Sequence, residues 1–203
     1  MRSAARLKMG YYPLPESEGK KLRALLSFAS PASVIDPCVG QGTALELVTS
    51  DAPVRRYGIE LDAERAHISS SKGIETIQGN TFDAIVKPES FSLLYLNPPY
   101  DSEIGTIANR RMEAVFLEHT YRWLRTEGVL SLVIPFERLH DCTGILSSHF
   151  SCLNVFRMTD PDSVQYRQVV VFGFRREVRG LAIENNKRQL HSIGLYGLSL
   201  IHI

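Results

Sequence analysis

The chain has 203 residues, 44% hydrophobic and 22% charged, with a formal net charge of +1. That composition predicts one soluble globular domain, with or without a short appendage, whose core needs neither disulfides nor a metal. It excludes binding of nucleic acid by charge alone, and with no run of about 18 apolar residues it excludes a transmembrane helix. Cys38, Cys142 and Cys152 form no C-x-x-C pair and never join histidine at ligand spacing, so no metal site is expected. The N-terminal stretch MRSAARLKMGYYPLPE lacks the apolar centre of a signal peptide, and a cytoplasmic location without membrane contact is expected. Positive charge gathers before residue 24, at Arg110, Arg111, Arg122 and Arg125, and at Arg175, Arg176 and Arg179. These groups are either solvated faces or contacts for an anionic partner.

In chain order, residues 20–29 read as a helix stopped by Ser30-Pro31. SVID at 33–36 is a short buried strand; a helix over 42–50 and a strand over 54–60 follow. Residues 62–72 read as a helix with Asp62 as its N-cap. A weak strand over 74–78 precedes a strong one, FSLLYL at 91–96, which ends at Asn97-Pro98-Pro99. Residues 112, 115, 116, 119 and 123 fall at helical spacing and predict a helix over 107–126. Residues 129–134 form a continuous apolar strand closed by Pro135. After a loop and helix, strands over 153–158 and 169–174 are joined by the polar turn TDPDS as a hairpin. Strands alternating with helices predict an α/β fold, with a mostly parallel sheet covered on both faces and a C-terminal antiparallel hairpin strand. Ligands should bind at the carboxyl ends of its strands. From about Leu181 the tail is either a packed terminal strand or sequence foreign to the protein, the natural chain then continuing past about residue 190.

Four motifs fall at those strand ends. DPCVGQG at 36–42 places glycines where the backbone must turn tightly, beside helix N–H groups that can meet a ligand. Leu45 breaks the dinucleotide G-x-G-x-x-G pattern, and no G-K-[ST] follows. Cys38 in this turn reads as a packing residue rather than a nucleophile. Glu60 in GIELD is placed to accept both hydroxyls of a ribose, with a plain surface acid as the alternative. In GNTFD, Asn80 can meet the edge of an adenine ring while Phe82 packs nearby, unless the segment is only a turn. The sharpest motif is Asn97-Pro98-Pro99-Tyr100 at the end of an apolar strand. Its prolines fix φ and remove donors, so the Asn97 side-chain oxygen and the Pro98 carbonyl become fixed acceptors, and Tyr100 offers a flat face for stacking. His119 reads as a satisfied core histidine, and Arg110 and Arg111 as candidate phosphate contacts.

DPCVGQG, GIELD, GNTFD and NPPY, in this order, resemble the class I S-adenosylmethionine-dependent amino-methyltransferases, most of all the N6-adenine DNA methyltransferases whose cofactor motifs precede the catalytic one. Tyr11-Tyr12-Pro13-Leu14 resembles the cofactor segment of that family, with Leu14 where a threonine is usual; Asn80 stands where many members have Asp. Tyr166-Arg167-Gln168-Val169 is similar to methyltransferase-like proteins of bacterial mobile elements. The resemblance implies a Rossmann-like sheet with S-adenosylmethionine as cofactor. It implies cofactor contacts from Tyr12, Pro13, Asp36, Pro37, Cys38, Gly40, Gly42, Glu60, Leu61, Asn80, Phe82 and Asn97. Asn97, Pro98, Pro99 and Tyr100 would be catalytic. Residues 1–15 would be a cofactor-contacting arm, 16–180 the methyltransferase domain and 181–203 a tail whose origin stays open between the two readings above. The implied acceptor is adenine N6 in DNA, with a separate target-recognition domain or subunit as partner. Amino groups of RNA bases, the glutamine side chain of a protein, and a non-catalytic cofactor-binding subunit are the alternatives.

Overall fold

A computed structural model of the chain describes residues 12–29, 31–100 and 111–196. Its strands are β1 (Ala32–Asp36), β2 (Val54–Glu60), β3 (Glu75–Gln78), β4 (Phe91–Leu96), β5 (Leu124–Pro135), β6 (Phe150–Arg157) and β7 (Gln168–Arg175). They form one sheet in the order β3-β2-β1-β4-β5-β7-β6. The first five pair in parallel; β7 lies antiparallel between β5 and β6. The helices are α1 (Glu16–Ala24), α2 (Thr43–Val48), α3 (Ala63–Ser71), α4 (Met112–Thr120), α5 (Leu139–His149), α6 (Pro161–Gln165) and α7 (Leu181–Tyr196). Among the described residues no helix is long and apolar enough to cross a membrane.

Successive side chains of β4 point to opposite faces of the sheet. Leu93 and Tyr95 pack with Val34, Leu45 and Val133, whereas Leu94 and Leu96 pack with Ile35, Leu117 and Leu132. Burial on both faces is why this strand reads as an unbroken apolar run rather than an alternating one.

The structure departs from the sequence reading in four places. Helix α1 begins at Glu16 and ends at Ala24, ahead of the expected 20–29. Its inner face carries Glu18 and Gly19, which no apolar pattern reveals: Glu18 Oε1 accepts the N–H groups of Thr159 and Asp160 at 3.0 and 2.8 Å, and Gly19 gives Leu47 room to pack. The helix expected over 107–126 is α4 followed by a 3₁₀ turn, Tyr121–Trp123, and Leu124 already belongs to β5. Trp123 is buried, which satisfied the helical pattern, but Leu124 pairs with Phe91 on β4 and ends the helix. The link between β6 and β7 contains α6, capped by Asp160 Oδ1 on Asp162 N–H at 3.1 Å, rather than a bare turn. The tail from Leu181 is a helix and not a strand: Leu190 and Ile193 are buried, and Asn186 Nδ2 donates to the carbonyls of Ser147 and Phe150.

Candidate active site

The sheet order reverses between β1 and β4, and the ends of β1, β2, β3 and β4 meet there. Open α/β sheets bind ligands at this place. After β1 the chain turns with Gly40 at φ 56° and Gly42 at φ 80°, left-handed values that side chains disfavour. The turn rests on β2: Val39 N–H donates to the Ile59 carbonyl at 3.0 Å, and a Cβ on Gly58 would lie 2.6 Å from Val39 Cγ1.

Two buried carboxylates border the turn. Asp36, 2% exposed, accepts Cys38 N–H on Oδ1 at 2.8 Å. Burial, reinforced by the nearby Glu60, pushes its carboxyl up to about 8 against that hydrogen bond. Glu60 Oε2 accepts Gly40 N–H at 2.9 Å; Oε1 accepts Asp62 N–H at 2.9 Å and the Arg65 guanidinium at 2.8 and 3.1 Å. Since each carboxylate oxygen has two lone pairs, Oε1 is saturated and Oε2 keeps one acceptor position. The glycine turn and Glu60 are thus tied by the bond from Gly40.

A cavity of about 190 Å³ opens in front of these groups. Tyr12, Pro37, Cys38, Glu60, Leu61, Asn80, Phe82 and Asn97 are among the residues that line it. Asn80 Oδ1 caps the short 3₁₀ turn Thr81–Asp83 by accepting Phe82 N–H at 3.1 Å, and the Thr81 hydroxyl bonds the Pro37 carbonyl. The Phe82 ring packs 4.7 Å from that of Phe116. A smaller cavity of about 30 Å³ is lined by Pro13 and Asp36 and shares Tyr12, Cys38 and Asn97 with the first. Leu14, where the resemblance has threonine, is buried and seats this segment through packing.

Asn97 emerges from β4 with both ends of its carboxamide engaged. Nδ2 donates to the Tyr12 carbonyl at 2.8 Å, and Oδ1 accepts the Tyr100 hydroxyl at 3.1 Å. Gln168 Nε2 in turn donates to the Tyr100 oxygen at 2.6 Å. The Tyr100 ring stacks on Tyr12 at 4.6 Å and 19°, and Tyr166 meets Tyr12 edge-on at 4.5 Å. Burial raises the Tyr100 hydroxyl far above its ordinary value, so it remains a neutral donor.

Ten of the sequence-predicted cofactor residues line one cavity or the other. Gly40 and Gly42 line neither and shape the turn. Pro99 faces the larger cavity, Pro98 is buried, and one face of Tyr100 is already covered by Tyr12. Burial pushes the Cys38 thiol up, as suits a packing residue. His119 is satisfied by the Thr81 carbonyl at 3.2 Å. Arg110 lies outside the described residues, whereas Arg111 pairs with buried Glu113 at 3.5 Å. Sequence reasoning missed Arg65 and Gln168. Arg65 reaches Glu60 across a strand–helix junction that no periodicity marks. Gln168 had a signal, as the polar residue opening the apolar run VVVF.

The model of the uncharacterised methyltransferase family DUF6094 matches residues 1–186. The chain belongs to this family. A search of curated proteins by sequence gives no match. Among solved structures this chain is similar to a class I S-adenosylmethionine-dependent methyltransferase of Listeria monocytogenes, with TM-score 0.69 and 13% identity over 82% of this chain and 61% of that one. The chain thus spans less than two thirds of the Listeria protein. A SAM-dependent O-methyltransferase of Thermotoga maritima aligns with TM-score 0.61 and 14% identity, over 87% of this chain and 71% of that one. Geranyl diphosphate methyltransferase, solved in complex with SAM, aligns with TM-score 0.57 and 12% identity, over 79% and 85%. At these identities the likeness is one of fold: the seven-stranded sheet with its antiparallel C-terminal strand is the Rossmann-like methyltransferase sheet.

Proposed function

We propose that this methyltransferase moves the methyl group of S-adenosylmethionine to an exocyclic amino nitrogen, with adenine N6 in DNA as the acceptor. The observation that carries the reading is the fixed carboxamide of Asn97, held at the end of β4 beside the cavity bounded by Glu60 and Asn80. S-adenosylmethionine supplies an activated methyl on a sulfonium, so the protein's work is to bind and orient. The residues present fit that cofactor. The remaining acceptor position of Glu60 Oε2 suits a ribose hydroxyl, and Asn80 Nδ2 can donate to an adenine edge. Ile59, Phe82 and Phe116 supply apolar walls for the ring, and Asp36 in the adjoining cavity suits a cationic amino group once it gives up the proton that its burial retains.

The acceptor amine is a poor nucleophile because its lone pair is delocalised into the ring. Hydrogen bonds from its N–H groups to Asn97 Oδ1 and the Pro98 carbonyl favour a pyramidal nitrogen whose lone pair points at the methyl. The same two acceptors stabilise the positive charge that develops on nitrogen. In duplex DNA the base reaches such a site by flipping out. Arg157 and Arg167 support a nucleic acid acceptor. They border a cavity of about 270 Å³ near the ends of β5 and β6, where Arg167 lies 5.7 Å over the Phe136 ring. Arg167 is paired with Glu137, so its guanidinium, with that of Arg157, can hold phosphates flanking the target where a phosphate takes the place of that carboxylate. Choice of sequence falls to a separate domain or subunit.

The test is methyl-labelled S-adenosylmethionine with unmethylated DNA, RNA and cell protein in separate reactions, followed by digestion and mass spectrometry. N6-methyladenine in DNA is expected. Label confined to RNA amino groups or glutamine would overturn the acceptor, and cofactor binding without transfer to any of them would overturn catalysis by this chain alone.

A further inference from the structure

We propose that Gln168 is a positioning residue of the acceptor site: it directs the Tyr100 hydroxyl onto Asn97 Oδ1 and so, with the Tyr12 carbonyl at the other end of the carboxamide, holds that oxygen in place for the acceptor amine. This rests on the reading of Asn97 given above and adds to it a residue from a distant strand.

Three hydrogen bonds determine one another. The Tyr12 carbonyl can only accept, so the group of Asn97 at 2.8 Å from it must be Nδ2. Asn97 Oδ1 therefore faces Tyr100 at 3.1 Å, and an oxygen that only accepts requires the phenolic proton to point its way. With that proton committed, the Tyr100 oxygen must accept from its other neighbour, which places Gln168 Nε2 at 2.6 Å as the donor. Every member has one orientation consistent with the other two.

Gln168 is built for this task. It opens β7, opposite Pro135 at the end of β5, and is 3% exposed. A buried amide at the head of a Val-Val-Val-Phe strand would be better replaced by an apolar side chain unless its hydrogen bond mattered. Without it the Tyr100 oxygen loses its donor, the phenolic proton is no longer committed to Asn97 Oδ1, and the carboxamide is held only at Nδ2 by the Tyr12 carbonyl. The oxygen end of Asn97 then swings more freely, and the lone pair of the amine is steered less tightly.

The experiment has two readouts. Side-chain amide NMR on the ligand-free protein follows Asn97, with Gln168→Met, Tyr100→Phe and the double variant compared with wild type. Gln168→Met should shift the Asn97 NH₂ signals and speed their exchange, Tyr100→Phe should do the same, and the double variant should add nothing further. In methyl transfer, Gln168→Met should lower kcat about 10- to 100-fold with cofactor affinity unchanged. Gln168→Glu, isosteric but able only to accept from Tyr100 as a carboxylate, gives the same loss and replaces the Met variant should that one misfold. Unchanged Asn97 signals, additive effects in the double variant, or wild-type kcat would each overturn the proposal. If wild-type protein fails to methylate DNA, the acceptor reading falls while the NMR arm still decides the role of Gln168.

Discussion

Replacing Gly58 by Ala tests how the fold builds the cofactor turn. The new Cβ would stand 2.6 and 3.0 Å from the two Cγ atoms of Val39 and 2.8 Å from its Cβ. Carbon atoms in ordinary contact lie about 3.5–4.0 Å apart, so each approach is short by roughly 1 Å. Rotating the Val39 side chain relieves the Cγ contacts but not the Cβ contact, so the turn itself must move. Its two anchors, Val39 N–H to Ile59 O at 3.0 Å and Gly40 N–H to Glu60 Oε2 at 2.9 Å, would lengthen. Overpacking of this kind costs about 1–3 kcal/mol. The smaller entropy of an unfolded Ala returns about 0.5–1 kcal/mol, leaving a net loss of up to about 2.5 kcal/mol, centred at about 1 kcal/mol. For a chain of this length the central value lowers Tm by about 2–4 °C. Thermal unfolding and calorimetric titration with S-adenosylmethionine should show the loss of Tm together with weakened binding. Adding Val39→Ala removes both Cγ contacts and should recover part of the Tm. A Gly58→Ala protein with wild-type Tm and affinity would refute the packing described between β2 and the turn.

Other expectations concern buried acids and the basic edge. Burial raises Glu18, but Lys21 and the N–H groups of Thr159 and Asp160 outweigh it and hold its carboxyl below the usual value. Its contribution to stability is present above the unfolded value of about 4.5 and fades as pH falls below it. Gln at 18 should therefore lower Tm clearly at pH 7 and little at pH 3, and equal losses at both would contradict this. Asp36 behaves in the opposite sense, with its carboxyl raised from 3.8 to about 8. The native state keeps a proton that the unfolded chain loses across that window, so cofactor-free wild type loses stability as pH rises through it. Asp36→Asn, which can still accept Cys38 N–H, should gain in Tm relative to wild type from pH 5 to pH 9; a constant difference would refute the assignment. Arg157→Ala combined with Arg167→Ala should weaken DNA binding and flatten its dependence on salt by up to about two phosphate contacts, and an unchanged slope would remove this edge from the interface.

Much of this organisation is legible in the sequence where one constraint acts alone. Strands β2 and β4 fall on the residues expected: β4 is an apolar run buried on both faces and closed by Asn97-Pro98, and β2 starts after Pro53 and is buried over its last three residues, Gly58 to Glu60. The Asp62 cap is found as read, with Oδ1 accepting Arg65 N–H at 2.9 Å. Elements whose inner face is polar are not legible. The face of α1 is set by Glu18, whose partners lie on the far side of the sequence, and Gln168 acts through Tyr100, 68 positions away. Periodicity also misleads where a 3₁₀ turn buries Trp123 as a helix would. The four motifs could be placed at strand ends from sequence, but the bonds that tie them together, Gly40 to Glu60 and Thr81 to Pro37, and the bond of Asn97 to Tyr12 in the N-terminal segment, depend on the fold.

The measurement that bears most directly on the proposed chemistry is Asn97→Ala beside wild type, assayed for label transferred from S-adenosylmethionine to adenine N6 and, separately, for cofactor affinity. The site predicts that transfer is abolished while cofactor affinity, carried by Glu60, Asn80 and the apolar walls, is nearly intact. Transfer at the wild-type rate by Asn97→Ala would contradict it.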